Sequence, residues 1–244
     1  MDKTPARGGR AHGIDPEEVA HFEELGDDWW DFSGPMRPLH AINPLRVSYI
    51  RETIAKRGAF EGARILDIGC GGGILCEPLA RMGARLTGID PAAGNIEVAR
   101  AHAAPQGLAI EYRADTAETL AAERASFDAV LAMEVIEHVP DQAAFVATAA
   151  ALVRPGGVLI MSTLNRTLKS FALAIIGAEY VLRWLPKGTH KWERFVTPQE
   201  LSRMMRASGL RVIDRSGIVY NPLAGKWRLS SDADVNYFMT AEKP

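Results

Sequence analysis

The chain has 244 residues, with 28 Lys and Arg against 30 Asp and Glu, a net charge of −2, and 47% hydrophobic residues. This composition excludes a largely disordered, collagen-like or coiled-coil chain, and the length suits one domain. The near-neutral charge argues against a general nucleic-acid binder, which usually carries a basic excess.

The N-terminal residues and the two cysteines bear on where in the cell the protein is expected. Met1–Gly13 is rich in Arg and Gly without an apolar core, so it does not resemble a secretory signal. Cys70 and Cys76 are too few for a disulfide framework, and no run of 18 apolar residues is present. We therefore expect a cytoplasmic protein with a flexible tail over residues 1–14 and a single domain over residues 15–244.

Two helices are predicted before the core of the domain. Asp15, Pro16 and Glu18 fit an N-cap, a first helical residue and a capping-box partner. A second helix start is expected at Asn43-Pro44. Between them, residues 29–35 form an aromatic cluster followed by turn residues.

From residue 64, short apolar segments alternate with helical ones. The expected strands are 64–68, 85–90, 108–113, 127–133 and 158–163, and the expected helices are 74–82, 92–103, 117–122 and 141–153. This alternation predicts an α/β fold with a doubly wound, mostly parallel sheet over a core of about residues 60–163.

The C-terminal third has a different pattern. Residues 164–195 are expected to form a helical insertion, and Thr197-Pro198-Gln199-Glu200 begins one more helix. Two further strands, 210–220 and 234–241, are joined by a connection that contains Gly and Pro. They suit an antiparallel addition at one edge of the sheet, which brings the expected number of strands to seven.

A glycine-rich loop follows the first strand. Gly69, Gly71 and Gly73 allow the backbone to approach a ligand closely, at the strand ends where nucleotides bind in doubly wound folds. A dinucleotide fingerprint would need glycine at position 74, where Ile74 stands. Asp67, two residues before the loop, has no evident use against a pyrophosphate, but it could hold a water molecule or the ammonium group of a ligand.

An acidic residue ends the second strand. Asp90 follows the first glycine of the loop by about 20 residues, the spacing at which a carboxylate accepts hydrogen bonds from ribose hydroxyls. The alternative is that Asp90 only caps the helix that begins at Pro91.

These two features in this order resemble the class I S-adenosylmethionine-dependent methyltransferases, which have a Rossmann-like fold. The resemblance covers about residues 60–163. Asp115 and Thr116 follow the third strand, where that class contacts adenine, and Met133 follows the fourth. Arg154-Pro155-Gly156-Gly157 before the fifth strand also matches the class.

A narrower resemblance extends over nearly the whole chain. The sequence is similar to the ubiquinone biosynthesis O-methyltransferases in the segments 29–31, 38–40, 43–46, 133–139, 162–166, 177–180, 186–190 and 234–237. The resemblance implies S-adenosylmethionine as methyl donor, and donor contacts at Arg46, Gly69, Asp90 and Met133, beside which Asp67, Gly71 and Asp115 complete the expected site. Arg46 suits the donor's carboxylate.

The family implies methylation of phenolic hydroxyls on polyprenylated rings, of the 3-demethylubiquinol and 2-polyprenyl-6-hydroxyphenol types, in both O-methylation steps. The alternative is an O-methyltransferase for another small phenol.

Glu134, Glu137 and His138 follow the fourth strand, and in a helical turn they would share one face. They could bind Mg²⁺, as family members are thought to do, or His138 could act alone as a base, with Glu134 beside it. A third interpretation is that Glu137 and His138 only orient the turn at Pro140.

Residues 166–187 are apolar with basic edges. Such a segment can lie in the headgroup region of anionic lipid, and we expect it to dock the enzyme on the inner face of the membrane, where a polyprenylated substrate resides. A lid over the active site is the alternative. Other enzymes of the ubiquinone pathway are further partners that the resemblance implies, whereas nucleic acid is not expected as a partner.

Overall fold

The computed structural model describes residue 19 and residues 26–171, 192–221 and 224–244. The helix expected at Asp15 and most of the segment 166–187 lie outside these ranges. The strands are β1 (Arg64–Ile68), β2 (Arg85–Asp90), β3 (Glu111–Ala114), β4 (Phe127–Met133), β5 (Val153–Leu164), β6 (Arg211–Asn221), β7 (Lys226–Ser230) and β8 (Asn236–Glu242).

Helices connect these strands. The α-helices of more than one turn are α1 (Arg37–Ala55), α2 (Cys76–Arg81), α3 (Ala93–Ala103), α4 (Ala117–Ala122), α5 (Gln142–Leu152) and α6 (Pro198–Ala207). Short 3₁₀ helices cover Gly26–Trp30, Ala104–Gln106, Ile136–His138 and Trp192–Arg194, and Leu168–Ser170 forms a single helical turn. None of the helices within the described ranges has both the length and the apolar content that are needed to cross a bilayer.

All eight strands belong to one sheet in the order β3-β2-β1-β4-β5-β8-β6-β7. The first five strands pair in parallel, and β8 is antiparallel to both β5 and β6. From β1 the chain adds β2 and β3 on one side, and it then returns to place β4 on the other side of β1. The strand order therefore reverses between β1 and β4. The crevice outside the carboxyl ends of these two strands is where open α/β sheets bind ligands.

Strand β1 is buried on both faces of the sheet. Ile65 belongs to one apolar cluster, with Ile50, Leu79 and Ile96, whereas the adjacent Leu66 belongs to a second cluster. Successive side chains of a strand point to opposite faces, so helices must cover both sides of the sheet. This arrangement confirms the predicted doubly wound α/β fold with an antiparallel C-terminal edge.

The sheet has eight strands rather than the seven expected. The additional strand, β7, lies in the Gly- and Pro-containing connection that was expected to join the last two strands. It pairs antiparallel with β6 from Asn221–Lys226 to Gly217–Ser230. Gly225 reverses the chain with φ +62°. Lys226–Ser230 alternates polar and apolar residues, but the strand is only five residues long, lies at the sheet edge and buries none of its side chains fully, so its signal is weak.

Helix α1 begins at Arg37, and the expected start at Asn43-Pro44 was wrong. Pro38 stands in its first turn, where a missing N–H costs nothing, and Pro44 lies inside the helix. An internal proline removes one hydrogen bond, to the His40 carbonyl. The buried face of this 19-residue helix, which includes Ile42, Ile50 and Ile54, offsets that loss.

Candidate functional site

A cavity of about 290 Å³ opens at the carboxyl ends of β1, β2 and β4. Six of the seven residues expected to contact the methyl donor line it: Arg46, Asp67, Gly69, Asp90, Asp115 and Met133. The seventh, Gly71, is connected to the cavity through its N–H, which donates to Asp90 Oδ2 at 3.0 Å.

The backbone of the glycine loop has a conformation that residues other than glycine rarely adopt. Gly69, Gly71 and Gly73 have φ of +70°, +52° and +85°, where a side chain is strained. A Cβ at Gly69 would lie 2.7 Å from Val135 Cγ2. The loop therefore requires glycine for both its conformation and its packing.

Asp90 is held in a fixed orientation at the end of β2. Its Oδ1 accepts from the Ala92 N–H at 2.9 Å and from Asn95 Nδ2 at 3.2 Å, and its Oδ2 accepts from Gly71. The carboxylate thus holds the turn that leads into α3 and lines the cavity at the same time. Holding this turn leaves Asp90 able to bind ribose hydroxyls as well, which stays a prediction.

Asp115 is kept ionised at the end of β3. Partial burial opposes its charge, but the Arg113 guanidinium at 2.6 Å outweighs that effect and lowers the pKa of Asp115. Its Oδ1 accepts from the Thr116 N–H at 2.9 Å. An ionised acceptor at this wall of the cavity can bind an exocyclic amino group.

Asp67 is almost fully buried in β1. Burial raises the pKa of Asp67 to about 7, and the negative charge of Asp90 adds to this effect, whereas a hydrogen bond from Cys76 at 3.3 Å and the positive charge of Arg46 oppose it. A carboxylate that ionises near neutrality and faces a cavity is suited to a cationic ligand group.

Arg46 reaches the cavity from α1 and pairs with Glu134 at 3.1 Å. Glu134 Oε1 also accepts from Ser162 Oγ at 2.7 Å and from Asn236 Nδ2 at 3.3 Å. Within the described ranges, the buried Nε of Arg46 finds no acceptor. This guanidinium N–H is therefore available to a ligand.

Glu134 has the left-handed φ of +57°, which is uncommon for a residue with a side chain. Such strain costs about 1–2 kcal/mol and concentrates at functional sites. It turns the Glu134 carboxylate into the cavity directly after β4. The sequence pattern predicted the residue but not its conformation.

The three residues expected to share a helical face after β4 do not do so. Ile136–His138 forms a 3₁₀ turn, and Glu134 and His138 line the cavity whereas Glu137 does not. Glu137 Oε2 accepts from Thr163 Oγ1 at 2.8 Å. Burial raises the pKa of Glu137 to about 8, and the charge of Glu134 contributes.

Metal-ligating side chains do not converge in the described part of the chain. There, no group of three or more His, Cys, Asp or Glu side chains is placed to hold a metal ion. The expected set of Glu134, Glu137 and His138 is therefore not assembled as the side chains stand, because Glu137 points toward Thr163.

The cavity wall also contains Trp29, Asn43 and Asn95, for which no role in the site was predicted. Asn43 Nδ2 donates to the Ile74 carbonyl at 2.8 Å, and its buried Oδ1 has no partner in the described ranges. Asn43 was interpreted as a helix start and Trp29 as part of an aromatic cluster, and both lie in segments that resemble the family. Their distance along the chain from the glycine loop hides the association.

Comparison with known proteins gives a consistent result. A family model described as a methyltransferase domain matches residues 42–215. The ubiquinone biosynthesis O-methyltransferase of Methylocella silvestris is 56% identical over 243 residues, covering 94% of this chain and 95% of the relative. The protein of the same name from Rhodopseudomonas palustris strain BisA53 is 53% identical, covering 99% and 98%.

A similar fold occurs among solved structures. The crystal structure of magnesium protoporphyrin IX methyltransferase from Synechocystis PCC 6803 with bound SAH has a TM-score of 0.69. The two chains are 20% identical, and the match covers 94% of this chain and all of the other. At this identity the likeness shows the fold alone.

Proposed function

Since this chain belongs to the ubiquinone biosynthesis O-methyltransferases, we propose that it methylates phenolic hydroxyls of polyprenylated rings, of the 3-demethylubiquinol and 2-polyprenyl-6-hydroxyphenol types, in both O-methylation steps. The methyl donor is S-adenosylmethionine. The observation that supports the proposal most directly is the cavity, which gathers acidic, guanidinium and apolar groups at the carboxyl ends of the parallel strands.

The charges of the cavity match the parts of the donor in order across the sheet. Asp90 suits the ribose hydroxyls, and Asp115 with Thr116 suits the adenine amino group. Arg46 suits the donor's carboxylate, and Asp67 suits its ammonium group. Met133 lines the wall at the end of β4.

The reaction needs a deprotonated phenol. When bound, the donor supplies a methyl group on a sulfonium, so that the phenolate oxygen forms the new O–CH₃ bond as the S–CH₃ bond breaks. A phenol has a pKa of about 10, so at neutral pH it requires a base. We assign this role to His138, which lines the cavity beside Glu134.

A divalent cation on Glu134, Glu137 and His138 is the second candidate for lowering the pKa of the phenol. As the side chains stand, the set does not fit a metal, because Glu137 lies behind the cavity wall against Thr163. The metal would require the Glu137 carboxylate to leave this hydrogen bond. We therefore derive no step through a metal.

A chelator experiment tests the proposal. Methyl transfer from labelled S-adenosylmethionine to a short-chain demethylubiquinol is measured under reducing conditions, after EDTA treatment, with and without added Mg²⁺. We expect turnover that EDTA does not change. We also expect His138→Gln to lose about 10²–10⁴-fold in kcat, while the matched Glu137→Gln retains most of its activity.

Other outcomes separate the alternatives. Turnover that EDTA abolishes and Mg²⁺ restores, with Glu137→Gln as inactive as His138→Gln, would replace the base mechanism with the metal. Donor binding without methylation of any quinol would favour another small phenol as substrate.

We further propose that residues 166–187 dock the enzyme on the inner face of the membrane. Only residues 166–171 of this segment lie within the described ranges. There, Leu168 is 81% exposed and Phe171 is 39% exposed, an unusual pair of apolar side chains so close together. The apolar tail of the substrate would enter the bilayer beside them.

Liposome flotation tests the docking proposal against the alternative of a lid. We expect Leu168→Glu to reduce co-flotation with vesicles that contain anionic lipid, and deletion of residues 168–186 to abolish it. The control is Leu229→Glu, a half-exposed leucine on the edge strand β7, which should float as the wild type does. Unchanged flotation after the deletion would exclude docking through this segment.

A further inference from the structure

A short segment ahead of α1 lies across the glycine loop. We call residues 26–36 the strap. Two consecutive indoles, Trp29 and Trp30, fix it in place. The strap precedes the residues that the methyltransferase family model matches, 42–215, so the general domain does not account for it.

Trp29 occupies the space that side chains on the loop would need. A Cβ on Gly71 would come within 3.0 Å of the far edge of the Trp29 indole, and a Cβ on Gly72 would lie 2.6 Å from Trp29 Cβ. Real Cβ atoms do not come this close. Two of the loop glycines therefore make room for the strap, in addition to any room that they make for a ligand.

The polar edge of Trp29 is connected to the loop by a chain of hydrogen bonds. Trp29 Nε1–H donates to Asn95 Oδ1 at 2.9 Å, and both residues are buried. Asn95 Nδ2 in turn donates to Asp90 Oδ1 at 3.2 Å, and Asp90 Oδ2 accepts from the Gly71 N–H at 3.0 Å. The strap, α3, β2 and the glycine loop are thereby joined.

The direction of these bonds gives Trp29 a specific task. An indole N–H can only donate, so it selects the Asn95 orientation in which Oδ1 faces Trp29 and the NH₂ group faces Asp90. In the opposite orientation, the Asn95 oxygen would face the Asp90 carboxylate and repel it.

We propose that Trp29 is a positioning residue for the methyl donor, because its N–H sets the orientation of Asn95 and thereby of the Asp90 carboxylate that binds the donor's ribose. The inference rests on the donor placement under Proposed function, in which Asp90 receives the ribose hydroxyls.

Trp30 anchors the strap without taking part in the hydrogen bonds that run from Trp29 to Asp90. Its Nε1–H donates to the Gly72 carbonyl at 2.9 Å, and its ring stacks on His102 with centroids 3.4 Å apart. His102 Nδ1 lies 2.5 Å from Oε1 of the fully buried Glu77. Trp29 is thus presented by an anchored element, which keeps its N–H in place before the donor binds.

Trp29→Phe is the test, since it removes the donor N–H and keeps an aromatic ring in the strap, although the smaller ring leaves space over Gly71. Binding of S-adenosylmethionine is measured by isothermal titration calorimetry, and KM is measured for the donor and for a short-chain quinol. We expect the Kd and KM of the donor to rise about five- to tenfold, the equivalent of one net hydrogen bond. The KM of the quinol should stay near the wild-type value, whereas the lost packing and hydrogen bond should lower the melting temperature modestly.

A double-mutant cycle shows whether Trp29 acts through Asn95. In the Asn95→Ala background, Trp29→Phe should have no further effect on donor affinity. Trp227→Phe on the edge strand β7 is the matched control and should leave donor binding unchanged.

Two results would overturn the inference: unaltered donor affinity in Trp29→Phe, or equal losses with and without Asn95. A failure of the donor placement itself is recognised separately, since Asp90→Ala would then bind the donor as tightly as the wild type.

Discussion

At the scale of single residues, buried charges of both signs meet at the cavity. Arg46 pairs with Glu134 and still presents its unpartnered Nε, in the described part of the chain, to the space where the donor's carboxylate is expected. The ion pair thus orients the guanidinium without consuming all of its donors, and Arg46 remains able to bind an anionic group.

Replacing Arg46 by Met tests this role. The aliphatic part of the side chain is kept, but the charge-assisted hydrogen bonds are lost, so we expect the Kd of S-adenosylmethionine to rise by about 10- to 100-fold. Arg51→Met, an exposed arginine on the same helix, is the control and should bind normally. Equal donor affinity of the two variants would contradict the assignment.

Asp67 predicts a pH dependence of donor binding. Its pKa of about 7 lies above the ordinary value because of burial, so below pH 7 the residue is mostly protonated and cannot pair with an ammonium group. Donor affinity should therefore rise with pH between about 5 and 7.

Calorimetric titrations at several pH values measure this dependence. Asp67→Asn should bind the donor weakly and with a much flatter pH profile. The raised pKa has an opposite consequence for folding: the folded state holds the proton more tightly, so the contribution of Asp67 to stability declines as the pH rises from about 4 toward 7. A steep rise of affinity retained in Asp67→Asn would assign the effect to another group.

At the scale of secondary structure elements, the C-terminal edge depends on one close contact. Gly217 in β6 packs against the backbone of the turn before β8, where an added Cβ would overlap the Asp232 carbonyl oxygen. The edge hairpin and the final strand can approach each other only because this side chain is absent.

Gly217→Ala should therefore destabilise the protein by about 2–3 kcal/mol, since the obstacle is backbone rather than a movable side chain. The comparison is Gly94→Ala in the first turn of α3, where no atom lies within 4 Å of the added Cβ. This variant should be neutral or more stable by up to about 1 kcal/mol. Chemical denaturation measures both, and similar stabilities would refute the packing argument.

The sequence allowed the parallel core to be predicted closely, because its signals are local. The bounds of β1, β2, β4 and α4 agree with the predictions, since apolar runs and their flanking residues determine them. The start of α1 could not be found locally, because buried contacts of the helix outweigh the breaking effect of Pro44. Likewise, β7 forms only because β6 offers an edge.

In the site too, local features could be predicted, whereas features that depend on distant contacts could not. The glycine loop and Asp90 were recognised because strand ends and loop residues adjoin in the sequence. Asn95 gives no such signal, since its importance depends on an indole 66 residues away. The left-handed turn at Glu134 was equally unpredictable, because hydrogen bonds from Ser162 and Asn236 hold its carboxylate in the folded state.

At the scale of the whole molecule, the cavity is built by two unequal parts. The sheet supplies its floor through β1, β2 and β4, a framework shared with distant methyltransferases such as the 20% identical neighbour. The strap and α1 supply one wall, with Trp29, Asn43 and Arg46. The cavity therefore combines a floor from the shared sheet with a wall from the N-terminal part of the chain.

A few long-range links hold the N-terminal wall of the cavity in place. The links of the strap span 42 residues from Trp30 to Gly72 and 66 from Trp29 to Asn95, and Arg46 of the same wall reaches 88 residues to Glu134. The pairing of β1 with β4 also spans 64 residues, from Ile65 to Ala129, but a ladder of hydrogen bonds and buried side chains offsets its closure entropy. Few contacts hold the strap, so we expect it to open before the sheet does.

Hydrogen exchange should therefore divide the molecule into two units of different stability. Backbone amides of β1 and β4 are expected to exchange only by global unfolding, whereas those of residues 26–36 and 71–73 exchange through a cheaper local opening. Adding S-adenosylmethionine should slow the second group more than the first. The enzyme would thus complete its folding at the moment it binds the molecule it consumes, and the emptied site would loosen again after each turnover.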